Sequence, residues 1–180
     1  MKKVDLDKIE SLRLFIEKLQ VSDFAFINEL LNTEGFLIFI GDRNVRSDDD
    51  AKIYITKTLE NENIQYWVVR LKPELIPVGI VSLVKRDFLP CRDIGFAFLP
   101  RYMGKGFACE ATGTVLKKIL LDYDDDVMVA ITDKNNIPSI RLLEKFGFEY
   151  NRELERDGKF TQVYGIEINK LAGNIQSSGL

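Results

Sequence analysis

The stretch Ile94–Ala111, IGFAFLPRYMGKGFACEA, is the part of the sequence that decides the fold. It begins as an apolar, β-rich segment, passes through Pro100 and the closely spaced Gly104 and Gly106, and ends in a helical pattern. A helix N-terminus carries unpaired N–H groups and about half a positive charge, and glycines let a ligand approach the backbone closely. The pattern therefore predicts a strand-to-helix turn that suits an anion such as phosphate, although such a pattern can also be only a turn.

The spacing of these glycines differs from two common phosphate-binding motifs. In the P-loop of nucleoside triphosphatases, a lysine and a serine or threonine follow the second glycine, whereas Phe107 and Ala108 follow it here. The dinucleotide-binding motif G-x-G-x-x-G needs a third glycine, and Cys109 stands in its place. The sequence therefore predicts an anion site of another kind.

The composition indicates one globular domain, which we expect to be cytoplasmic. The chain has 180 residues, of which 46% are hydrophobic, so a sizeable core is expected. Its net charge of −3, with both signs mixed along the chain, argues against nucleic acid as a partner. No apolar run approaches the ~18 residues of a membrane helix, and the N-terminal segment lacks the apolar region of a secretory signal.

The sequence contains no histidine. This absence excludes Ser-His and Cys-His catalysis and the common histidine metal sites. Its two cysteines, Cys91 and Cys109, suggest neither a disulfide framework nor a metal site. Any general base must therefore be a carboxylate, a tyrosine, a water molecule or a backbone group, and we expect no metal.

Apolar periodicity, capping residues and turns predict a mixed α/β domain. The predicted order is a strand, two helices, three strands, a helix, a strand, a helix and two strands. The strands are predicted over residues 12–19, 65–72, 78–85, 92–99, 127–131, 148–155 and 160–168. The helices are predicted over residues 22–32, 47–60 and 106–121, with a fourth from Asn136 to Gly147. Ser22, Ser47 and Asn136 are the predicted helix caps, and the last two strands are predicted to form a hairpin with its turn at Asp157-Gly158. We expect residues 1–172 to form one domain and residues 173–180 a flexible tail.

Two segments resemble signatures of the GNAT N-acetyltransferase superfamily. Arg101–Gly106, RYMGKG, fits the acetyl-CoA loop pattern Q/R-x-x-G-x-G/A at every fixed position. Asn136–Phe148, NIPSIRLLEKFGF, fits N-x-x-S-x-x-hydrophobic-L-E-K-x-G-F, and the subgroup resembled is the ribosomal-protein N-terminal (RimJ/RimL-like) acetyltransferases. The resemblance extends over most of the chain, from LRLFIEKLQVSD to the final hairpin.

The resemblance implies a fold, a reaction and a co-substrate. The fold would be a single GNAT domain, with a mixed, mostly antiparallel sheet of about six to seven strands flanked by about four helices. The activity would be transfer of an acetyl group from acetyl-CoA to an amine, without a metal.

The resemblance also implies which residues bind the co-substrate. Loop amides would hold the pyrophosphate, and the pantetheine arm would pair with a central strand at the point where the sheet splays. The backbone N–H of Phe98 could polarise the thioester oxygen, and Asn136 could instead act only as a helix cap. The implied binding residues are Phe96, Phe98, Arg101, Met103, Gly104, Lys105, Gly106, Phe107, Ala108, Asn136 and Ser139.

The implied chemistry is direct attack of a neutral amine on the thioester. Many relatives use a tyrosine as the general acid, and Leu143 stands at that position here. Ser139 is then the candidate for a hydrogen bond to the departing sulfur, unless the thiolate takes its proton from solvent. Asp93 is the first candidate for the general base, although its side chain could point to solvent. Glu110, in the first turn of the helix after the loop, is expected to have a structural role.

The sequence leaves the acceptor open. A weak base favours an α-amine, with a pKa of ~7.7–8.0, over a lysine, with a pKa of ~10.4, so a protein N-terminus or a small amine would suit. The apolar run 35–41 could be a short strand, a core loop or, together with Arg43, a wall of the acceptor cavity. Tyr150 and Tyr164 line the acceptor side or belong to the core.

The expected partners are therefore acetyl-CoA and an amine, with no nucleic acid and no membrane, in a monomer or homodimer. A non-catalytic sensor that binds acyl-CoA on the same fold is the alternative to an enzyme. A plain nucleotide-binding α/β domain is a second alternative.

Overall fold

The computed structural model describes residues 8–156 and 158–177, and one sheet of eight strands runs through them. The strands are β1 (Lys8–Glu10), β2 (Leu14–Lys18), β3 (Ile64–Leu71), β4 (Ile76–Lys85), β5 (Arg92–Phe98), β6 (Val127–Thr132), β7 (Glu149–Arg156) and β8 (Lys159–Glu167). The helices are α1 (Phe24–Leu31), α2 (Glu34–Phe39), α3 (Asp48–Glu60), α4 (Phe107–Ile119), α5 (Ile137–Lys145) and α6 (Ile168–Ser177). Two short 3-10 turns cover Val21–Asp23 and Pro100–Tyr102.

The sheet divides at the contact between β5 and β6. Its strand order is β1-β2-β3-β4-β5-β6-β8-β7, and its neighbours are antiparallel except for β5 and β6. β5 pairs with β4 from Arg92 to Phe98, whereas the parallel register of β5 and β6 is limited to Asp93 and Val129. The two strands therefore diverge beyond Asp93 and leave one edge of β5 open.

Each face of the sheet is covered by helices. Successive side chains of a strand point to opposite faces, so Trp67 and Val69 of β3 join the core beneath α4 and α6. Val68, between them, packs instead with residues of α1 and α3. This arrangement places the N-terminus of α4 at the end of β5 and places α2 over the opposite face.

The predicted mixed, mostly antiparallel α/β architecture is confirmed. Within the described residues, the sheet has eight strands, more than the predicted six to seven, and six α-helices accompany it where four were predicted. The extra strand β1 has three residues and buries only Ile9, so it leaves almost no periodic signal in the sequence.

The apolar run 35–41 forms most of a helix. α2 covers Glu34–Phe39, and the side chain of Thr33 caps it by accepting a hydrogen bond from the N–H of Phe36. The strand and loop interpretations of this run were therefore wrong, and only the cavity-wall interpretation agrees with the structure. Isolated bulky apolar residues do not distinguish a short helix from a strand.

The cap predicted for the first helix was also wrong. Ser22 lies inside the 3-10 turn, and α1 begins at Phe24. The Asp23 carboxylate accepts the N–H of Gln20 at 2.9 Å. By contrast, Ser47 caps α3 as predicted, since its hydroxyl accepts the N–H of Asp50 at 3.1 Å.

The C-terminal segment differs from the predicted tail. α6 extends to Ser177, and Leu171 and Ile175 on it are buried in the core beneath α4. The predicted tail from Gly173 is thus helical as far as the described residues reach, because these two apolar side chains anchor it. In the predicted hairpin turn, Gly158 has φ +72°, and Asp157 lies outside the described residues. Within residues 8–156 and 158–177, no helix has the length and apolar character needed to span a bilayer.

Candidate active site

The turn between β5 and α4 presents a row of main-chain N–H groups. Met103 donates its N–H to the carbonyl of Pro100 at 3.1 Å, which closes the 3-10 turn. The chain then passes through Gly104 and Gly106, whose φ values of +72° and +80° are costly for any residue with a side chain. Within the described part of the chain, the N–H groups of residues 104–108 have no hydrogen-bond partner.

These free N–H groups lie at the positive end of α4. The helix has 13 residues and begins after Gly106, which supplies no side-chain cap. Unpaired amides and the helix dipole together attract an anion. The predicted loop residues Gly104, Lys105, Gly106, Phe107 and Ala108 can therefore donate to a phosphate through their backbone, whereas the N–H of Met103 is already bonded.

Arg13 links this loop to the segment before β2. Its Nε donates to Glu110 Oε2 at 2.7 Å, its backbone N–H donates to Glu110 Oε1 at 2.8 Å, and its Nη1 donates to the carbonyl of Lys105 at 3.1 Å. The guanidinium also stacks 4.5 Å from the ring centroid of Phe107. Ser11 Oγ donates to the same carboxylate at 2.7 Å, so Glu110 ties the start of β2 to the first turn of α4.

The electrostatics of Glu110 agree with this bracing role. Partial burial acts to raise its pKa, but hydrogen bonds from Ser11 and Arg13 hold the pKa below the ordinary value for glutamate. The carboxylate is therefore charged at neutral pH, and its contacts are those of a structural residue.

The side chain of Arg101 is paired with a carboxylate on α1. Both of its terminal nitrogens contact the Glu29 carboxylate on α1, with Nη2 at 3.1 Å from Oε2. Hydrogen bonding to Glu29 raises the pKa of the guanidinium above its ordinary value. Arg101 therefore joins α1 to the turn that precedes the loop.

The open edge of β5 offers backbone groups to a ligand. Leu99 donates its N–H to the carbonyl of Val78 on the β4 side at 2.9 Å. Because backbone groups alternate along a strand, the N–H and C=O of Phe96 and Phe98 face the gap toward β6. This gap is the site at which an extended ligand can add to the sheet.

Asn136, which precedes α5, and Ser139 and Leu143 on that helix lie across the gap. Asn136 caps the helix, since its Oδ1 accepts the N–H of Ser139 at 3.3 Å. The hydroxyl of Ser139 has no partner among the described residues. All three side chains line the same cavity as residues 93–97 of β5.

Asp93 is buried at the point where the sheet splits. The residue is 3% exposed, and its carboxylate accepts hydrogen bonds from Arg86 Nε at 2.7 Å and Nη2 at 3.4 Å. Burial raises the pKa of Asp93 above its ordinary value, and the charge and hydrogen bonds of Arg86 oppose that rise. The side chain thus lines the cavity and does not point to bulk solvent, the alternative considered from the sequence.

A cavity of about 180 Å³ connects these groups with α2. Its wall includes Arg43 and the apolar side chains Phe36, Phe39 and Ile40 of the α2 region, together with Tyr66 and Arg86. Tyr150 and Tyr164 do not line it. They pack edge to face with ring centroids 6.0 Å apart, and Tyr164 donates to Gln162 Oε1 at 3.1 Å.

Sequence reasoning missed Arg13 and Arg86. Neither belongs to a recognised motif, and each acts on a residue of another strand or helix. The pairing of β4 with β5 brings Arg86 to Asp93, and the packing of α4 against β2 brings Arg13 to Glu110. Among the described residues, no group of three or more His, Cys, Asp or Glu side chains is placed to hold a metal ion.

Comparisons with known proteins agree with this geometry. Residues 13–149 match the model of the acetyltransferase (GNAT) domain. An uncharacterized N-acetyltransferase, YnaD, of Bacillus subtilis (strain 168) is 26% identical over 152 residues, which cover 84% of this chain and 85% of the relative.

Solved structures share the fold. A GNAT-family acetyltransferase from Bacillus anthracis aligns with a TM-score of 0.75 and 24% identity over 90% of this chain and 99% of that chain. The ribosomal-protein-S5-alanine acetyltransferase of Vibrio fischeri aligns with a TM-score of 0.76 and 17% identity over 90% and 97% of the two chains. Because the GNAT model matches residues 13–149, more than half of the chain, the protein belongs to the GNAT acetyltransferase family and is an N-acetyltransferase, with acetyl-CoA as the implied co-substrate.

Proposed function

We propose that the protein transfers the acetyl group of acetyl-CoA to a small primary amine bound between α2 and β5. One observation supports this proposal above the others. The open edge of β5 runs from the unpaired amides of residues 104–108 to a cavity that contains the buried Asp93. An anion site, an extended-ligand site and a base are therefore arranged along one strand.

The residues present suit acetyl-CoA. The amides of residues 104–108, at the N-terminus of α4, would hold the diphosphate. The free backbone groups of Phe96 and Phe98 would pair with the amides of the pantetheine arm, as a peptide strand pairs with a sheet edge. When bound, acetyl-CoA supplies the acetyl thioester. The N–H of Phe98 faces the gap and is the candidate donor to the thioester oxygen.

Asp93 is the proposed base. The amine must lose a proton before it attacks, and Asp93 is the one carboxylate among the residues that line the cavity. Arg86 favours the charged form of Asp93, which can accept a proton, while burial raises the pKa of Asp93 and so favours its holding that proton. The new bond joins the amine nitrogen to the acetyl carbon, and the carbon–sulfur bond breaks.

Ser139 is proposed to assist the departing sulfur. Its hydroxyl has no partner in the described part of the chain and lines the cavity. The thiolate of coenzyme A takes up a proton to become the thiol, and a free thiol has a pKa of about 8.5, so solvent can supply this proton as well. The ammonium group loses one proton to Asp93 before the attack, and the nitrogen loses a second proton as the amide forms. One of these two protons balances the conversion of the thiolate to the thiol, and the other is released to solvent.

The proposal is tested by incubating the protein with acetyl-CoA and a panel of amino acids, polyamines, other small amines and peptides. The release of free coenzyme A thiol and the mass of the acetylated product are recorded. We expect one class of small amine to be acetylated. Calorimetric binding of acetyl-CoA without turnover of any amine would contradict the proposal and favour the acyl-CoA sensor. Tight binding of ATP with no binding of acetyl-CoA would favour the nucleotide-binding domain.

Substitution of the base gives a sharper test. Asp93→Asn should lower kcat by about 10²- to 10⁴-fold, the usual contribution of general base catalysis. The residual activity should rise with pH, because more of the acceptor amine is then neutral. Asp122→Asn, an exposed aspartate on the loop after α4, is the matched control and should behave like the wild type. Full activity of Asp93→Asn at neutral pH would rule out the assigned role.

A further inference from the structure

The acceptor cavity contains Arg43, an arginine that is not paired with a carboxylate of the described residues. Three charged side chains line it, namely Arg43, Arg86 and Asp93. Arg86 and Asp93 are paired with each other at 2.7 Å. Arg43, on the loop after α2, makes no hydrogen bond or ion pair within residues 8–156 and 158–177. The cavity therefore has a net positive charge that its own side chains do not neutralise.

A second donor lies on the same wall. The hydroxyl of Tyr66 is 3.5 Å from that of Tyr54, and the ring of Tyr66 lines the cavity. Burial raises the pKa of Tyr66 above its ordinary value, so the phenol keeps its proton and can donate a hydrogen bond. The neighbouring side chains Phe36, Ile40 and Ile80 are apolar, and a charge-assisted hydrogen bond is stronger in such surroundings than in water.

We propose that the acceptor is a small amino acid, whose carboxylate binds Arg43 and the Tyr66 hydroxyl while its amine faces Asp93. The carboxylate and the ammonium group of an amino acid would then each meet an opposite charge in the same cavity. A polyamine would instead place additional positive charge near Arg43. The cavity of about 180 Å³ suits a small molecule. This inference rests on the proposed acetyl transfer and specifies its substrate class.

The test compares acceptors that differ only in the carboxylate. The common amino acids are assayed first with acetyl-CoA, and the carboxamide and the decarboxylated amine of the best substrate are assayed next. Dipeptides that begin with the same residue test whether the amine can belong to a peptide. Each assay is repeated with Arg43→Gln and with Arg152→Gln, a matched exposed arginine on β7 that does not line the cavity.

We expect Arg43→Gln to lower kcat/KM for the amino acid by about 10- to 100-fold, the usual effect of losing a hydrogen bond to a charged group. Its kcat/KM for the carboxamide should change by less than about 3-fold, a difference of under 1 kcal/mol. Each effect compares the variant with the wild type on the same substrate, so a difference in basicity between the amino acid and its carboxamide cancels. Arg152→Gln should match the wild type, and calorimetry should give the same acetyl-CoA affinity for all three proteins.

Several results would overturn the inference. Equal losses of kcat/KM for the amino acid and the carboxamide would show that Arg43 does not bind the carboxylate. A loss of acetyl-CoA affinity in Arg43→Gln would assign the side chain to the co-substrate. Acetylation of carboxylate-free amines or dipeptides in preference to amino acids would defeat the inference and leave the proposed acetyl transfer intact. Binding of acetyl-CoA without turnover of any amine would defeat both.

Discussion

A single glycine substitution tests whether residues 104–108, the proposed phosphate loop, bind the diphosphate, and a glycine elsewhere in the chain supplies a matched control. Gly104 and Gly158 both have φ +72°, and a Cβ added to either meets no atom within 4 Å. Changing either residue to aspartate therefore imposes the same backbone strain and adds the same charge. Gly104 lies among the unpaired amides before α4, whereas Gly158 lies in the turn between β7 and β8. The comparison therefore tests how far the added carboxylate lies from the proposed diphosphate.

Coulomb's law gives the size of the expected effect. A carboxylate about 5 Å from one phosphate charge costs about 1 kcal/mol at the dielectric constant of water and about 3 kcal/mol at an effective value of ~20. Gly104→Asp should therefore weaken acetyl-CoA binding by about 5- to 150-fold relative to Gly158→Asp. Salt should reduce the difference, because it screens exposed charges.

The assay is isothermal titration of acetyl-CoA into each variant, with thermal unfolding as the control for the fold. Both variants should show similar midpoints of unfolding, since their strain is the same. Equal affinities of Gly104→Asp and Gly158→Asp for acetyl-CoA would refute the placement of the diphosphate on this loop. A weaker affinity in Gly158→Asp would place the co-substrate at the hairpin.

Two further predictions concern stability. Leu171→Ala should lower the free energy of unfolding by about 2–5 kcal/mol, because Leu171 of α6 is fully buried. Urea unfolding measures this change. The control is Leu12→Ala at a residue that is 90% exposed, and it should change the free energy of unfolding by less than about 0.5 kcal/mol. A loss under about 0.5 kcal/mol in Leu171→Ala would show that α6 is not part of the core. Glu110→Gln should lower the free energy of unfolding by about 1–3 kcal/mol at neutral pH. The pKa of Glu110 is depressed in the folded state. Its contribution to the free energy of unfolding is therefore full above the ordinary glutamate pKa and is lost as the pH falls through the folded pKa. The stabilities of the wild type and the variant should become equal in acid, and a difference that persists there would contradict the assigned ion pair.

The sequence predicts local features of this molecule better than long-range ones. Ser47 and Asn136 lie just before amphipathic segments, and the structure shows both as helix caps. The glycines of the phosphate loop are recognisable because their left-handed backbone needs no distant partner. α2 was missed because GFLIFIG is apolar on every side, so its pattern does not separate a helix from a strand. α6 was missed because only two apolar residues four positions apart anchor its last turns.

The residues that complete the site depend on tertiary structure. Arg13 and Glu110 are 97 positions apart, and no short motif includes both. Asp93 is recognisable as the start of a strand, but its burial follows from the divergence of β5 and β6 and from Arg86, seven positions earlier. Arg43 stands out only when the cavity is known, because the structure shows which other charges in it are already paired.

The most direct measurement of the central claim follows the backbone N–H groups themselves. In two-dimensional ¹⁵N–¹H NMR spectra recorded during titration with acetyl-CoA, the amides of residues 104–108 and of Phe96 and Phe98 should show the largest chemical shift changes. The signals of the Gly158 amide and of the α6 amides should not shift. Saturation with acetyl-CoA that leaves the signals of residues 104–108 unmoved, while others shift, would contradict the account.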